Sequence, residues 1–259
     1  MFLETVLLSL IILIILVFLY RQAVDEFQIL QTDDFTKVPS LLQERLPIVV
    51  HPFNPPENLW SRAVIQQRPK ISKIRVGKEK GQTLGPMLKE GKPFSLVQPD
   101  TLSRDLATQL GMDVWTGRQL LPHFHEAHYW GFLVKSSPLC FVGPQGLRPT
   151  TAYASLLFPT EGTLRVSLLH ESSDAYLPPQ WRGRQLSTMT RDDSPLIGEI
   201  QTVEVIVRSG SALIIPPHWR LCWTDDLAKD VPTPSLSVLA EFHHPVSQFV
   251  SALSHRLGS

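Results

Sequence analysis

From Trp130 onward the chain is cut into short apolar runs, and this limits the fold more than any other feature. The runs are Gly131–Val134, Leu139–Val142, Ala152–Phe158, Leu164–Leu169, Ile200–Val207, Ala212–Ile215 and Leu236–Phe242, separated by Gly, Pro, Ser and Asp clusters. Runs this short read as strands, and many short strands with such punctuation predict a sandwich or barrel. Proline is plentiful, at 22 residues, which suits strand ends and irregular connections. The 259 residues accommodate one all-β domain of about 200–250 residues plus an appendage.

The appendage is N-terminal. Phe2 to Tyr20 is apolar except for Glu4, Thr5 and Ser9, and Val6 to Tyr20 is almost all Leu, Ile and Val. About 20 apolar residues cross a bilayer core as a helix, and residues 2–21 just reach that length. A cleaved signal peptide fits less well, because no basic n-region and no small-x-small site precede Gln22. The expectation is one uncleaved transmembrane helix and a single-pass membrane protein. Arg21 follows the span and no Lys or Arg precedes it, so the positive-inside rule faces the soluble domain to the cytosol.

Residues 22–46 read as a polar stalk ending in a helical turn or two, with Asp33 or Asp34 as cap and Val38, Leu41, Leu42 and Leu46 as stripe. Residues 47–259 then form the domain. Leu46–Val50 is its first strand and Trp60 a core anchor. Arg62 to Lys92 is locally basic and reads as a solvated strand-and-loop region; a patch for anionic lipid is the alternative. Asp100 to Gly111 is the clearest helix: Asp100 or Thr101 caps it, Leu102, Leu106 and Leu110 share a face, and Gly111 ends it. A second helix starts at Pro245 with Val246, Phe249, Val250 and Leu253 as its stripe, which either packs on the barrel or joins a second copy in a homodimer.

Twenty-four basic and 24 acidic residues balance, so no net charge draws the chain to nucleic acid. The two cysteines, Cys140 and Cys222, lie in apolar runs and read as buried, inert thiols.

The segment Gly210-Ser211-Ala212-Leu213-Ile214-Ile215-Pro216-Pro217-His218-Trp219-Arg220-Leu221 reads as a strand leaving a turn, a rigid Pro-Pro corner and an aromatic. It resembles the last metal-binding motif of the cupin-like and JmjC-type dioxygenases, roughly G-D-x-L-x-I-P-P-G-W-W-H. Two earlier blocks resemble the same family in order: Phe141-Val142-Gly143-Pro144-Gln145-Gly146 through Leu157, and Glu161 to Leu169. The resemblance spans about residues 140–225 and implies a mainly β fold, the double-stranded β-helix, with flanking helices and a pocket at one mouth. It also implies an iron(II) and 2-oxoglutarate site, built from two His and one carboxylate. This sequence departs from that pattern. Ala152 and Ala154 stand at the first two ligand positions and Leu221 at the distal His. Leu164 takes the place of the basic residue that would hold 2-oxoglutarate, with Arg165 beside it, and Ser211 takes the place of the Asp.

Two functions follow from these residues. The first is a membrane-anchored, non-catalytic interaction or scaffold module with a protein partner and no cofactor. The second is a metal-dependent oxygenase whose ligands have moved. His123-Phe124-His125-Glu126-Ala127-His128 is the densest group of candidate ligands; on a strand His123 and His125 would share a side, and His218 could supply a third imidazole. The irregular stretch Ser172–Ser194, with Trp181, Arg182 and Arg184, is a candidate contact surface.

Overall fold

A computed structural model describes residues 7–12, 28–56, 60–75, 83–90, 98–126, 131–225, 236–245 and 249. Eight strands build the barrel: β3 (Lys135–Val142), β4 (Gln145–Pro149), β5 (Ala154–Glu161), β6 (Thr163–His170), β7 (Val203–Arg208), β8 (Ala212–Ile215), β9 (Trp219–Asp225) and β10 (Leu236–His243). Their pairing is nested. β6 pairs with β7, β5 with β8, β4 with β9 and β3 with β10, all antiparallel. The chain is thus a two-stranded ribbon folded at β6–β7. The contacts β5–β10 and β6–β9 wind this ribbon on itself into two facing sheets. One sheet has the order β4-β9-β6-β7. The other runs β8-β5-β10-β3 and is extended by β2 (Ile48–Val50) and β1 (Leu30–Thr32). A wound two-stranded ribbon is a double-stranded β-helix, so the fold is cupin- and JmjC-like, as the three sequence blocks imply.

Side-chain alternation divides the core between three spaces. Leu139, Phe141, Leu157, Leu164, Leu168, Val205, Leu221, Trp223 and Leu239 fill the barrel between the sheets. Cys140, Ala154, Leu156, Phe158, Ala240 and Phe242 face the other way, into a helical layer over the larger sheet. Leu147, Leu169 and Cys222 face out of the smaller sheet and meet Leu177 and Met189 of the 171–200 stretch. A strand covered on both faces needs an unbroken apolar run, and this explains Leu156-Leu157-Phe158. β7, at an edge, buries Val205 and Val207 and turns Glu204, Ile206 and Arg208 to solvent.

The N-terminal half differs from its sequence reading in three places. Leu30–Thr32 lies within the expected stalk yet pairs in parallel with β2, so that stretch is built into the sheet. The basic region is mostly helical where described: Arg62–Gln67, Pro69–Ser72 and Leu84–Glu90 bury Ile65, Ile71, Leu84 and Leu88, Arg75 and Thr83 form a β-bridge, and Ser61 caps the first helix by accepting from Val64 N at 3.4 Å. Residues 112–126 are helical too, with a wide π-type turn at Thr116–Leu120; Leu120 and Phe124 recur at four-residue spacing and both are buried. The helix Asp100–Gln109 starts one residue beyond Pro99, which takes the cap position without a side-chain hydrogen bond.

Of the expected span 2–21, Leu7–Ile12 is described. It is helical, and Leu7, Leu8, Leu10, Ile11 and Ile12 are all exposed; the rest of the span lies outside the described residues. Among the described residues no helix is long and apolar enough to cross a membrane. The C-terminal helix likewise lies largely outside them, although Pro245 is helical and Phe249 exposed.

Candidate functional site: the barrel lumen and its mouth

One end of the barrel gathers the segments on which the sequence blocks place a metal site. β10 ends there at His243, opposite Lys135. Ser155, near the start of β5, faces Ile215 at the end of β8. Arg220, near the start of β9, faces Pro149 at the end of β4 and Leu169 of β6. The Pro216-Pro217 corner is buckled to this rim by Thr150. Its hydroxyl lies 3.0 Å from Pro216 O and 2.9 Å from Trp219 O, and it accepts from Trp219 N at 3.1 Å.

Ala152, Ala154 and Leu221 are each 0% exposed, as is Leu164 at the opposite end of β6, across from Asp225. Leu221 lies across from Leu168 on one side and Arg148 on the other. Phe141 and Trp223 meet edge to face with centroids 5.4 Å apart, and Trp219 is buried in the same cluster. Ala154 points into the helical layer; the inward position on β5 is Ser155, because Leu157 faces the lumen. An iron(II) ion needs nitrogen or oxygen donors. The side chains aligned with the ligands, Ala152, Ala154 and Leu221, offer none, so they do not fit the metal that the resemblance implies. Arg165 is exposed on the outer face of β6, since Leu164 takes the inward register; it is turned away from the lumen.

The three candidate histidines lie on two separate elements. His123 and His125 sit on the helix Leu121–Glu126, not on a strand. Pro122 is the second residue of that helix, and Phe124 between the two histidines stacks on Phe242 at 4.0 Å, on the outer side of the larger sheet. His123 meets the Phe35 ring at 5.1 Å, and His125 Nε2 lies 3.2 Å from Val134 O. His218 is at the β8–β9 corner, with its Nδ1 2.8 Å from Glu171 Oε2. Its φ of 72° is the left-handed region, which costs a non-glycine residue about 1–2 kcal/mol. The chain holds it there through His218 N to Thr150 O at 3.1 Å and Glu171 N to His218 O at 2.8 Å. Among the described residues no three His, Cys, Asp or Glu side chains converge to hold a metal ion.

What the rim does hold is a chain of charges. Arg148 projects from β4 with its guanidinium 5.0 Å from the Phe141 ring centroid. Its Nη2 donates to Asp100 Oδ1 at 3.2 Å and lies 3.9 Å from Glu241 Oε1. Glu241 Oε2 is in turn 3.4 Å from His243 Nε2. Arg148 and Glu241 are mostly buried, with side chains 17% and 14% exposed. Such a pair contributes less to stability than to fixing one arrangement of the elements it joins. Here it joins β4, β10 and the Asp100–Gln109 helix. Sequence reasoning did not single out Arg148 or Glu241. Their signal is a lone charge at a lumen-facing register of an apolar strand, and that register is known only once the strands are paired.

The remaining polar groups near the rim support structure. His170 caps the turn Glu171–Tyr176 by accepting from Ser172 N at 3.3 Å, and its burial holds its pKa below the usual value. The Ser172–Ser194 stretch is not a free loop. It packs on the outside of the smaller sheet through Leu177, Met189 and Trp181. Arg220 of β9 pins it through Asp174, 3.0 Å at Nε–Oδ1, and Arg184 pairs with Asp193 within it, 2.8 Å at Nη1–Oδ1. The Arg184 hydrogen bonds hold the Asp193 carboxyl well below the ordinary range. Cys140 and Cys222 are buried, and burial pushes both thiols up.

The sequence matches no protein-family model and no curated protein. Three solved structures align with it at low sequence identity. A non-heme α-ketoglutarate-dependent epimerase, SnoN from nogalamycin biosynthesis, aligns over 81% of this chain and 83% of its own at 10% identity and a TM-score of 0.47. Hydroquinone 1,2-dioxygenase from Sphingomonas sp. TTNP3, with 4-hydroxybenzoate bound, aligns over 44% of this chain and 62% of its own at 15% identity and TM-score 0.28. The cupin domain of Drosophila melanogaster CENP-C aligns over 41% and 59% at 13% identity and TM-score 0.25. The fold assignment rests on the nested strand pairing.

Proposed function

We propose that this chain is a membrane-tethered, non-catalytic cupin- and JmjC-like module that acts as an interaction or scaffold domain. The observation that carries the reading is the filling of the lumen: Leu164 and Leu221, where the family resemblance implies a basic residue and a His, are wholly buried, and Trp219 and Trp223 are 1% exposed. Side chains in tight apolar packing leave neither donors nor room for a metal and co-substrate. The Phe2–Tyr20 run supplies the tether. Its described part, Leu7–Ile12, exposes apolar side chains all round, the pattern of a helix that needs an apolar surrounding. With Arg21 as the nearest basic residue, the domain faces the cytosol, and its partner is a protein.

The test is a manganese(II) titration of the full chain in detergent with leucine methyls labelled, because Mn(II) broadens signals near it. The reading expects the Leu164, Leu168 and Leu221 methyls to keep their line widths. Selective broadening of these three would overturn it.

A further inference from the structure

The smaller sheet ends in an open edge. β7 is last in the order β4-β9-β6-β7, and among the described residues no strand pairs with its other side. An unpaired edge offers a row of N–H and C=O groups to any strand that can match it, and folded proteins blunt such edges with proline, bulges or charged side chains. β7 holds no proline and pairs with β6 without a register shift. Its charges are the exception, and their placement is informative.

The pairing with β6 fixes which backbone groups face out. Ser209 N donates to Gly162 O at 3.1 Å, which makes these two residues a hydrogen-bonded pair in the register that sets Thr163 against Arg208. Hydrogen-bonded and non-hydrogen-bonded pairs alternate along an antiparallel ladder. Val203, Val205 and Val207 therefore bond to β6, and Glu204, Ile206 and Arg208 turn their backbone groups to the open side. On the far side of β6, Glu171 N donates to His218 O at 2.8 Å, which gives the same phase. The Arg208 carbonyl is already taken by Ser211 N at 2.9 Å. The side chains of the same three residues are exposed, Ile206 by 52%.

These three residues are self-complementary. When two copies of β7 run antiparallel about a twofold axis at Ile206, Ile206 meets the second copy's Ile206 and Glu204 meets the second copy's Arg208. A twofold interface makes every such contact in both directions. Ile206 N–H then donates to the second copy's Ile206 O, and Arg208 N–H to the second copy's Glu204 O, each again both ways. Sliding the strands by two residues puts one of the charges opposite Ile206 and breaks both ion pairs. Sliding by four sets Glu204 on Glu204 or Arg208 on Arg208, and opposed like charges are destabilising. The edge thus fits a second copy of itself in one register.

We propose that this chain associates as a twofold dimer through β7, joining the two smaller sheets into one. This names a partner for the interaction module but does not rest on the lumen being filled, and metal in the lumen would leave the outcomes below unchanged.

The experiment is disulfide trapping of the full chain in detergent with Ile206→Cys, read on a non-reducing gel. Cys140 and Cys222 are buried and do not compete. Opposed residues of a hydrogen-bonded pair have Cα atoms about 5.5 Å apart, inside the span of a disulfide, so mild oxidation is expected to link this variant into dimers. In Glu204→Cys the two cysteines lie about 14 Å apart along the strands, out of disulfide reach, and should link about tenfold more slowly or less. In the Ile206→Cys background, Glu204→Arg or Arg208→Glu alone opposes like charges and should slow linking by about tenfold. Both changes together restore opposite charges and should recover the rate. All three sites are exposed, so the variants keep the fold. No linking at position 206 overturns the proposal. So do equal rates at positions 204 and 206, which would mean association through another face, or a rate indifferent to the charge changes.

Discussion

Replacing Leu221 by alanine removes most of a side chain that is 0% exposed and lies across from Leu168 and Arg148 in the lumen. Truncating a buried leucine costs about 2–5 kcal/mol, the upper part of that range where neighbours cannot collapse into the gap. Leu221 is held between paired strands on both sides, so a value of about 3–4 kcal/mol is expected. For a domain of this size 1 kcal/mol moves the melting temperature by about 2–4 °C, and the variant should melt roughly 10 °C lower. The assay is urea unfolding followed by tryptophan fluorescence, for which Trp219 and Trp223 in the lumen are reporters, with a parallel thermal scan. Leu221→His, which restores the residue type that the resemblance places here, should cost about as much, because a buried imidazole without a partner must be desolvated. Both substitutions costing under about 1 kcal/mol would show that the position borders open, hydrated space, and the filled-lumen reasoning would fail.

Three further outcomes follow from particular residues. A Cβ on Gly146 would overlap the backbone oxygen of Gly183, so Gly146→Ala should cost about 3 kcal/mol and loosen the 183–185 segment from β4; limited proteolysis within 172–194 checks this, and unchanged resistance would count against it. Burial lowers the His170 pKa below its usual 6.5. The unfolded chain then takes up that proton first, so the contribution is whole above about pH 6.5 and is lost as pH falls below it towards the folded pKa. In His170→Asn, whose side chain can also accept from Ser172 N, urea midpoints at pH 7.5 and 5.5 should differ less than in the parent; an unchanged difference refutes the assignment. Cys140 and Cys222 are both buried, so they should react with a thiol reagent only on unfolding, and rapid reaction of the native chain would contradict their placement.

The sequence made the strands of the C-terminal half legible because strands covered on both faces must be apolar throughout, and Leu156-Leu157-Phe158 could not be mistaken. The glycine turn and Pro-Pro corner bracketing Ala212–Ile215 marked the end of the barrel that matters. Local pattern failed where tertiary burial decided. Ile65, Ile71, Leu84 and Leu88 make a helical layer, but the intervening Lys and Arg residues disguise it as a loop. His123 and His125 looked like one face of a strand, yet Phe124 between them is the buried residue and the segment is helical. The rim charges Arg148 and Glu241 were invisible because inward and outward positions depend on register, and register is set by a partner strand more than a hundred residues away, as for Ser137 against Glu241.

The most direct test of the filled barrel is elemental analysis of the full chain, purified in detergent after anaerobic exposure to iron(II), beside a His123→Ala/His125→Ala double variant. Packed leucine and alanine side chains at the ligand positions predict no iron above background in either protein. Near-stoichiometric iron in the parent would contradict the account, and its loss in the double variant would give the site to the histidines of the Leu121–Glu126 helix.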